Sequence, residues 1–546
     1  QHHGSESVWP YYYAGTMGLV MRDGINRLRH VKRYSGFYST ICVTLSFNGF
    51  IAGTGQLAGV DPREMGKSDL IIIWGSNAAS TQINVMTHAL KARRERGANI
   101  VVIDTYRNAT AKQADVFVCV RPGTDGALAC ALMHVLFRDG KADRDYLQEF
   151  TDCPETLETH LASRDPAWAE QISGVPASQI ETLASMIGST PKTFFRLGYG
   201  FARQRNGAAN MHAALSIAAV AGSWRHEGGG AFHNNGGIYH WDKTVIEGLD
   251  CLDSSVRVLD QSRIGAVLTG DPRDLGDGPP ISALFIQNTN PMSVAPDLNR
   301  VHKGFAREDL FVCVHEQFLT ETAQMADIVL PATMFLEHDD LYQAGGHQHI
   351  TLGPRIVNPP EGCRSNHEVI CALAKRLGAN HAGFDMSPRE LIDRTLYDSG
   401  WGNLDNLEEK RWIDCQPEFR DAHYLDGFAH ADGRFHFSPD WNALLPHGFG
   451  PADTVMPNLP DHWNVIEEAN SEMPYRLVTA PARHYLNSTF TETPTSKRRQ
   501  RRPSAMLHPD DARDLKIANG DTIRLGNLRG EIQIGAEVIE TAQRGV

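Results

Sequence analysis

Short apolar runs alternate with amphipathic stretches between residues 67 and 128. Leu70–Trp74 is entirely apolar and ends in a Gly-Ser-Asn turn, and residues 100–103 and 116–120 are similar apolar runs. Continuous runs of this length are typical of parallel strands that are buried on both faces. Residues 82–96 place apolar side chains on one face, as a crossover helix does. The pattern therefore predicts a doubly wound α/β unit with a parallel sheet.

Glycine and polar residues follow each of these predicted strands. In chain order the three strand ends carry Gly75, Ser76 and Asn77, then Asp104 and Thr105, and then Gly123 and Asp125. Parallel sheets bind ligands at the carboxyl ends of their strands, where a carboxylate after the second strand commonly accepts hydrogen bonds from ribose hydroxyls. These residues therefore predict a nucleotide pocket.

A fourth predicted strand, residues 193–197, opens into a glycine loop. Gly198 and Gly200 flank a tyrosine there, and basic residues follow. A Gly-x-Gly sequence after a strand lets the backbone approach a ligand closely and is typical of anion-binding loops. We therefore expect these two glycines to line the pocket.

The same pattern occurs again about 212 residues further along the chain. The sequence Thr-Ala-x-x-Ala-Asp begins at Thr110 and again at Thr322, and the same offset of 212 takes Asp104 to Glu316. The asparagine that follows each first strand is offset by 213 residues, which places a slip of one residue in a loop. Two such units predict two related nucleotide pockets; the alternative is that two parallel sheets share the pattern by chance.

The order of these patterns predicts three domains. Residues 1–66 and 236–465 form a discontinuous α/β domain with the second nucleotide unit, and residues 67–235 form an α/β domain with the first. Residues 466–546 have a different character, with an apparent strand at 475–479 and alternating runs at 522–525 and 531–534. Alternation of this kind predicts a β-rich domain, which we interpret as a small barrel.

Composition excludes several classes of protein. The chain has 546 residues, of which 41% are hydrophobic and 21% charged, as in ordinary globular proteins. Its net charge of −13 argues against nucleic-acid binding. No apolar run approaches the roughly 18 residues that span a membrane.

The cysteines give no metal-binding pattern of their own. There are nine, without a C-x-x-C pair, so this segment shows no zinc or iron–sulfur spacing. An odd, scattered set suits a reducing compartment, so we expect a cytoplasmic protein. Because the chain does not begin with Met, we interpret it as a fragment at both ends, and a periplasmic location stays open.

Together the motifs resemble those of the molybdopterin oxidoreductases of the dimethyl-sulfoxide-reductase type. The resemblance covers nearly the whole chain in the family's order. The matching stretches are W-G-S-N, I-D-T-Y-R, A-D-V-F-V-C-V-R-P-G-T-D-G-A-L, G-Y-G-F, the Asn290-Pro291 turn, E-Q-F-L-T-E-T-A-Q-M-A-D-I-V-L-P with Glu337 beyond it, and H-P-D-D-A followed by G-D. The resemblance implies two related doubly wound units around a cofactor cleft, capped by an incomplete C-terminal β-barrel.

The resemblance also implies a cofactor. It is a molybdenum or tungsten ion held by two molybdopterin guanine dinucleotides. The pyrophosphate of one dinucleotide would lie against Gly75, Ser76 and Asn77. Its ribose and guanine would be bound by Asp104, Thr105 and Asp125. The second dinucleotide would take Gln287, Asn288, Asn290, His315, Glu316 and Thr320. The capping domain would place Ala480, His484 and Asn487 against the pterins.

One cysteine occupies the family's position for the protein ligand to the metal. In the family this ligand is Cys, selenocysteine, Ser or Asp and lies before the W-G-S-N strand, where Cys42 stands here, 25 residues ahead of Lys67. A thiolate is a soft donor that suits a metal already bound by sulfur. Cys42 is therefore the expected metal ligand and catalytic residue; the alternative is a buried structural cysteine.

The implied function is two-electron redox of a small substrate, with transfer of an oxygen atom or a proton. The resemblance leaves open an electron-transfer protein or subunit as partner, and a four-iron cluster, which the family usually carries, would lie in a domain before residue 1. Val43 stands where a formate dehydrogenase has His, which argues against formate. One alternative is a non-catalytic scaffold resembling the large iron–sulfur subunit of respiratory complex I. An NAD-dependent dehydrogenase lacks support, since no G-x-G-x-x-G opens either unit.

Overall fold

The apolar run Leu70–Trp74 is the central strand of a parallel sheet. The computed structural model describes residues 3–444, 455–464, 468–500 and 502–546. All five residues of this strand are buried, which explains why its sequence is continuously apolar rather than alternating. The five strands of the sheet lie in the order Val116–Cys119, Asn99–Asp104, Leu70–Trp74, Thr193–Leu197 and Gly230–Phe232.

A second parallel sheet has the same arrangement over four strands. Its strands lie in the order Ile328–Pro331, Phe311–Glu316, Ala283–Gln287 and Val8–Tyr12. Asp104 and Glu316 each end the second strand of their unit, as the duplicated sequence predicts. The prediction of an α/β fold with parallel sheets is therefore confirmed.

The two sheets take their fourth strand from different parts of the chain. In the first sheet Trp74 pairs with Leu197, on a strand that comes later in the sequence. In the second sheet Gln287 pairs with Tyr12, on a strand that comes more than 250 residues earlier. The second unit is therefore discontinuous in sequence, although its strand arrangement equals that of the first.

The duplicated threonine ties the loop after the first strand to the sheet. The Thr110 hydroxyl donates to the Asn77 amide oxygen at 3.0 Å and accepts from the backbone amide two residues beyond Asn77 at 2.9 Å. In the second unit Thr322 donates to Asn290 at 2.6 Å and accepts from the equivalent amide at 3.1 Å. The same hydroxyl therefore fixes the same loop in both units.

The duplicated aspartate anchors the second strand. The Asp115 carboxylate accepts from the backbone amide of Ile100 at 2.8 Å, and Asp327 accepts from that of Val312 at 2.7 Å. Both polar residues of Thr-Ala-x-x-Ala-Asp thus have a role within the protein. The motif is therefore a mark of the duplicated fold. The hydrogen bonds of its threonine and aspartate to protein groups account for both residues without a ligand.

Each sheet has its own hydrophobic core. One buried cluster surrounds the Leu70–Trp74 strand, and a separate one contains Trp9, Tyr11 and Leu284. The helix Ile83–Arg96 ends where Gly97 adopts a left-handed φ of 73°, with arginines in its last turn, as helix C-termini favour. The other longer α-helices are Ile25–Lys32, Thr44–Thr54, Asp125–Arg138, Pro154–Leu161, Pro166–Ser173, Ala177–Gly188, Gly207–Val220, Leu298–Phe305, Asn366–Leu377 and Pro388–Asp398.

Smaller sheets complete the described structure. Asp340–Tyr342, His349–Gly353 and Trp412–Asp414 form an antiparallel sheet, and Gly36–Tyr38 pairs with Val258–Asp260. In the described part of the chain, no helix is both long enough and apolar enough to cross a membrane.

The C-terminal region contains one three-stranded sheet, made of Ser504–Leu507, Gly530–Val538 and Thr522–Asn527. The predicted strand at 475–479 is wrong: these residues form no strand, and Leu477 is 58% exposed. A short run with β-forming residues becomes a strand only where a partner strand is available. The predicted boundary between residues 465 and 466 lies outside the described residues.

The paired threonines allow a matched stability test. Thr110→Val and Thr322→Val each remove one hydroxyl and leave a loop amide without its partner. Asn77 Oδ1 also loses its bond, whereas Asn290 Oδ1 keeps one from the Thr322 backbone amide at 3.2 Å. We expect each to lower the free energy of unfolding by about 1–3 kcal/mol. Thermal unfolding measures the loss. Thr182→Val, which loses only a bond to a carbonyl of its own helix, is the control and should change little; a drop of equal size in that control would contradict the assignment.

Candidate cofactor site

The two sheets build the same loop contact at their carboxyl ends. The Gly200 amide donates to the Gly75 carbonyl at 2.9 Å, and the Gly15 amide donates to the Asn288 carbonyl at 2.9 Å. Gly75 and Asn288 both have left-handed backbones, with φ of 64° and 59°. Asn is among the few residues that tolerate this conformation. The loops on which the prediction depends are therefore equivalent in the two units.

Glycine is required here because the loops lie so close together. A Cβ at Gly198 would come within 2.2 Å of the Gly75 oxygen, and one at Gly200 within 2.7 Å. A Cβ at Gly15 would come within 2.6 Å of the Asn288 oxygen. The Gly198 amide also donates to the Trp74 carbonyl at 2.7 Å, so the amides of both predicted anion-loop glycines are used within the protein. Direct anion binding by these amides stays a prediction.

Two carboxylates lie at the strand ends of the first unit. Asp104 accepts from the Thr105 amide and from Asn108 Nδ2, both at 2.7 Å. Asp125, the first residue of its helix, accepts from Trp74 Nε1 at 2.7 Å. Burial raises the pKa of Asp104 to about 6, and the charge of Asp125 adds to that rise. Burial likewise raises the pKa of Asp125 to about 6.

Glu316 has the place of Asp104 in the second unit and a similar local contact. Its carboxylate accepts from the amide of the next residue, Gln317, at 2.7 Å. Burial raises the pKa of Glu316, and Glu492 from the C-terminal segment adds to the rise. The nearby Asn290 is held by Thr322 and donates to Glu321 at 2.8 Å, while Thr320 caps the short helix that follows.

Adjacent residues of the second unit have buried polar atoms without partners. Gln287 Nε2 contacts His315 Nδ1 at 2.9 Å, and His315 Nε2 contacts the Arg364 carbonyl at 3.0 Å. Asn288 Oδ1 accepts from Asn366 at 3.0 Å. This leaves Gln287 Oε1 and Asn288 Nδ2 buried and without a partner among the residues that the structure describes. A neighbouring acceptor and donor of this kind match the amide-like edge of a pterin or a guanine.

Cys42 lies between the two units. It is half-buried in a bend that follows the strand Gly36–Tyr38 and precedes the helix Thr44–Thr54. Burial and then Cys42 raise the pKa of Tyr13 to about 12. Burial also raises the pKa of Tyr199, and Cys42 contributes to that rise. One tyrosine from each glycine loop therefore lies near Cys42.

Three of these residues were not among the predicted site residues. They are Gly15, Tyr13 and Tyr199, which carry the loop contact and flank Cys42. The signal available was the glycine that follows a strand by three residues in both loops, at Gly15 and at Gly200. That signal is visible only once the strands Val8–Tyr12 and Thr193–Leu197 are known to be equivalent.

The C-terminal segment lies across the carboxyl edge of the first sheet. Arg483 donates to Ser80 at 2.9 Å, the Arg107 amide donates to the Thr541 carbonyl at 3.1 Å, and Gln543 contacts Cys119 at 3.3 Å.

The three predicted pterin contacts of this segment are placed as follows. Ala480 and Asn487 are exposed, Asn487 with a φ of 52°, and His484 is half-buried. Their contact with a pterin stays a prediction.

Known protein families match most of the chain. The profile of the molybdopterin oxidoreductases matches residues 30–376, and that of the molybdopterin dinucleotide-binding domain matches residues 475–546. The chain belongs to the molybdopterin oxidoreductase family and is an oxidoreductase.

Named relatives agree with this assignment. Probable oxidoreductase YoaE of Bacillus subtilis is 34% identical over 558 residues, covering 100% of this chain and 78% of the relative. Trimethylamine-N-oxide reductase of Haemophilus influenzae is 26% identical, covering 88% of this chain and 65% of the relative. Dimethyl sulfoxide reductase DmsA of Escherichia coli is 24% identical, covering 100% and 75%.

A solved structure shares the fold. Acetylene hydratase from Pelobacter acetylenicus matches with a TM-score of 0.80 over 100% of this chain and 78% of that protein, at 17% sequence identity. At that identity the likeness establishes the fold alone.

The cofactor of the family fits the residues present. It is a molybdenum or tungsten ion held by molybdopterin dinucleotide. The unpartnered atoms of Gln287 and Asn288 offer hydrogen bonds to such a ligand, and Cys42 offers a soft donor beside both glycine loops. The chain therefore has suitable groups for the pterins and for the metal.

The raised pKa of Asp125 predicts a pH dependence. Its folded pKa of about 6 lies above its unfolded value of 3.8, so ionisation of this group costs no stability below the unfolded pKa, costs progressively more as pH rises to the folded pKa, and costs a constant amount above it. Asp125→Asn keeps an acceptor for Trp74 and removes that cost. In thermal unfolding of the cofactor-free protein, the stability of the variant relative to wild type should rise from about pH 4 to about pH 6.5 and then stay level.

Asp139→Asn is the matched control with the opposite sign. A hydrogen bond from Arg138 lowers the pKa of Asp139, so its replacement should reduce stability at the higher pH. Equal pH responses of the two variants would refute the assignment of burial as the cause at Asp125.

Proposed function

We propose that this chain catalyses two-electron redox of a small substrate at a molybdenum or tungsten bis-molybdopterin guanine dinucleotide centre. The observation that supports this proposal most strongly is the pair of equivalent glycine loops, each of which brings one tyrosine near Cys42. Two equivalent loops suit two equivalent halves of one cofactor. A single thiol between them suits one metal that both halves share.

The first dinucleotide would bind the first unit. Gly75, Ser76 and Asn77 lie at the end of the central strand, where the pyrophosphate of a nucleotide binds in parallel sheets. Asp104 and Asp125 are close enough to interact, and each keeps acceptor capacity for ribose hydroxyls or the guanine edge. Thr105 and the carbonyl-bearing turn at Gly123 complete this set.

The second dinucleotide would bind the second unit through different chemistry. Gln287 and Asn288 offer one acceptor and one donor, and neutral, buried His315 holds the glutamine in place. Burial lowers the pKa of His315 to about 4, so it is uncharged at neutral pH. Asn290, Glu316 and Thr320 follow at the neighbouring strand end.

This function implies the predicted domain plan. Residues 67–235 would form one doubly wound unit, residues 1–66 with 236–465 the other, and residues 466–546 a barrel that caps the cleft. Two separate cores and the contacts of residues 483, 541 and 543 with the first unit support this plan.

The cofactor would carry out the redox chemistry, and the residues of the chain would bind and position it. When bound, the metal and its dithiolenes supply the two-electron chemistry. Cys42 would ligate the metal, and the two nucleotide pockets would fix the cofactor's position. The substrate would be an S-oxide or an N-oxide, as the names of the reductase relatives suggest, or an oxyanion, which the sequence leaves open, with electrons delivered by a partner protein or subunit.

A second candidate is a non-catalytic scaffold of the same fold. A non-catalytic scaffold binds neither a pterin nor a metal. It therefore needs neither the unpartnered amide atoms of Gln287 and Asn288 nor the Cys42 thiol between the loops, and their presence favours the enzyme. Metal analysis separates the two. About one molybdenum or tungsten atom per purified chain supports the enzyme, and protein isolated without either from cells supplied with both metals contradicts it.

Cys42→Ala tests the metal ligand. We expect the fold and dinucleotide content to be retained, because only one small side chain is lost, while turnover is abolished or sharply reduced. X-ray absorption should show one sulfur fewer at the metal. An unchanged sulfur coordination number together with wild-type turnover would end the assignment.

Asp125→Ala tests the nucleotide pocket. Loss of a charged acceptor for a buried ligand costs about 1.5–3 kcal/mol, so the variant should lose cofactor on dilution roughly ten- to a hundredfold more readily. Released guanine nucleotide reports the loss. Asp139→Ala, at an exposed site, is the control. Full retention in Asp125→Ala would show that this carboxylate does not hold the cofactor.

A further inference from the structure

The hydroxyl group of Tyr199 is oriented by a single hydrogen bond. Asn234 is 5% exposed, and its Oδ1 accepts from the Gly236 amide at 2.7 Å. Its Nδ2 therefore faces the Tyr199 oxygen, at 2.5 Å. An amide nitrogen can only donate, so the tyrosine oxygen is the acceptor. The phenolic proton of Tyr199 has no acceptor among the residues that the structure describes, and it stays available to a ligand.

The ring of Tyr199 is fixed as firmly as its hydroxyl. It packs edge-on against Phe47 and His233, with ring centroids 6.1 and 5.3 Å away. His233 is fully buried, and its two nitrogens contact the Leu197 carbonyl at 2.9 Å and Ser46 Oγ at 3.1 Å. Tyr199 is itself half-buried, so a preorganised hydroxyl remains within reach of a ligand.

A buried positive charge lies next to this hydroxyl. Arg196 is 1% exposed and donates to Gln82 Oε1 at 2.6 Å and to backbone carbonyls, among them that of His233 at 3.4 Å. None of its hydrogen bonds within the described structure is to a carboxylate, and its Nε is unpartnered. Arg196 interacts electrostatically with Tyr199. The site therefore favours a ligand atom that carries negative charge.

Building on the proposed function, we propose that Tyr199 is a catalytic residue whose hydroxyl donates a hydrogen bond to an oxygen atom held beside Cys42. The ligand class is a substrate with a negatively polarised oxygen: an N-oxide, an S-oxide or an oxyanion. The hydroxyl acts only as a donor and keeps its proton. Asn234 is the positioning residue that directs this proton away from the protein.

The test compares three variants of the metal-loaded full chain with wild type. Tyr199→Phe removes the donor. Asn234→Asp keeps the shape of the side chain but replaces the amide donor with a carboxylate oxygen. That oxygen accepts the hydrogen bond of the Tyr199 hydroxyl, which is then no longer available to a ligand. Tyr146→Phe is the control, because it also removes a buried tyrosine hydroxyl, one that has no partner in the described structure and lies in the helical layer of the first unit. Metal content and thermal stability are measured first, and rates are expressed per bound metal.

The readouts are kinetic and electrochemical. Wild type is assayed with trimethylamine N-oxide, dimethyl sulfoxide and nitrate, using a reduced dye as electron donor. For the best of these substrates, Tyr199→Phe and Asn234→Asp should each lower kcat/KM about tenfold or more. Both should also lower the midpoint potential of the metal, because a lost donor destabilises the more electron-rich state. Tyr146→Phe should match wild type in both.

The outcomes distinguish this inference from the function on which it rests. The role of Tyr199 is overturned if Tyr199→Phe has the kcat/KM and midpoint potential of wild type. It is also overturned if Asn234→Asp has both wild-type values. Either result counts against Tyr199 even when Cys42→Ala removes a metal ligand. Wild-type protein isolated without molybdenum or tungsten from cells supplied with both metals overturns the proposed function instead, and unchanged metal coordination in Cys42→Ala overturns only the assignment of the metal ligand. A metal-loaded wild type that reduces none of the three substrates overturns the ligand class.

Discussion

The site depends on one contact made twice: a glycine amide that donates to the carbonyl of a left-handed residue at the end of the neighbouring strand. Gly200 makes this bond to Gly75, and Gly15 makes it to Asn288. Any side chain at either donor would overlap the acceptor oxygen. The contact holds two adjacent strand ends together, and it fixes the residue before each glycine as well. The positions of Tyr199 and of the loop containing Tyr13 follow from it.

Equivalent backbones carry different chemistry in the two units. Where the first unit has Trp74 and Gly75, the second has Gln287 and Asn288. Both units keep a carboxylate with a raised pKa at the second strand end, Asp104 and Glu316, but the first unit adds the Asp125 carboxylate, whereas the second adds the uncharged amides of Gln287 and Asn288. A ligand with two identical halves would experience two different electrostatic environments. Duplication thus accounts for the geometry of the site, and divergence of side chains accounts for its asymmetry.

The sequence predicts what is local and fails where a contact is long-range. The strands Leu70–Trp74 and Thr193–Leu197 have the predicted bounds, the first because full burial leaves a continuous apolar run and the second because a short run around Phe194 and Phe195 ends at Gly198, although it also buries Arg196. The duplicated motif identified both units because its threonine and aspartate serve the same backbone groups in each. The pairing of Val8–Tyr12 with a strand more than 250 residues away has no local signal, so the role of Gly15 was missed. The strand predicted at residues 475–479 is wrong for the converse reason, since a short run with β-forming residues has no partner strand there.

The position of Cys42 follows from the order of the strands along the chain. Because Val8–Tyr12 completes the second sheet before the first sheet begins, the intervening residues must pass from one unit to the other. Phe37, just before Cys42, packs against the core of the second unit, and Phe50, just after it, belongs to the core of the first. Cys42 therefore lies where the chain crosses between the two cores. In a simple tandem repeat, with each fourth strand supplied from within its own unit, the chain would cross only after one unit was complete, not between residues 12 and 70. The permuted strand therefore accounts for the position of a single thiol between the two equivalent glycine loops.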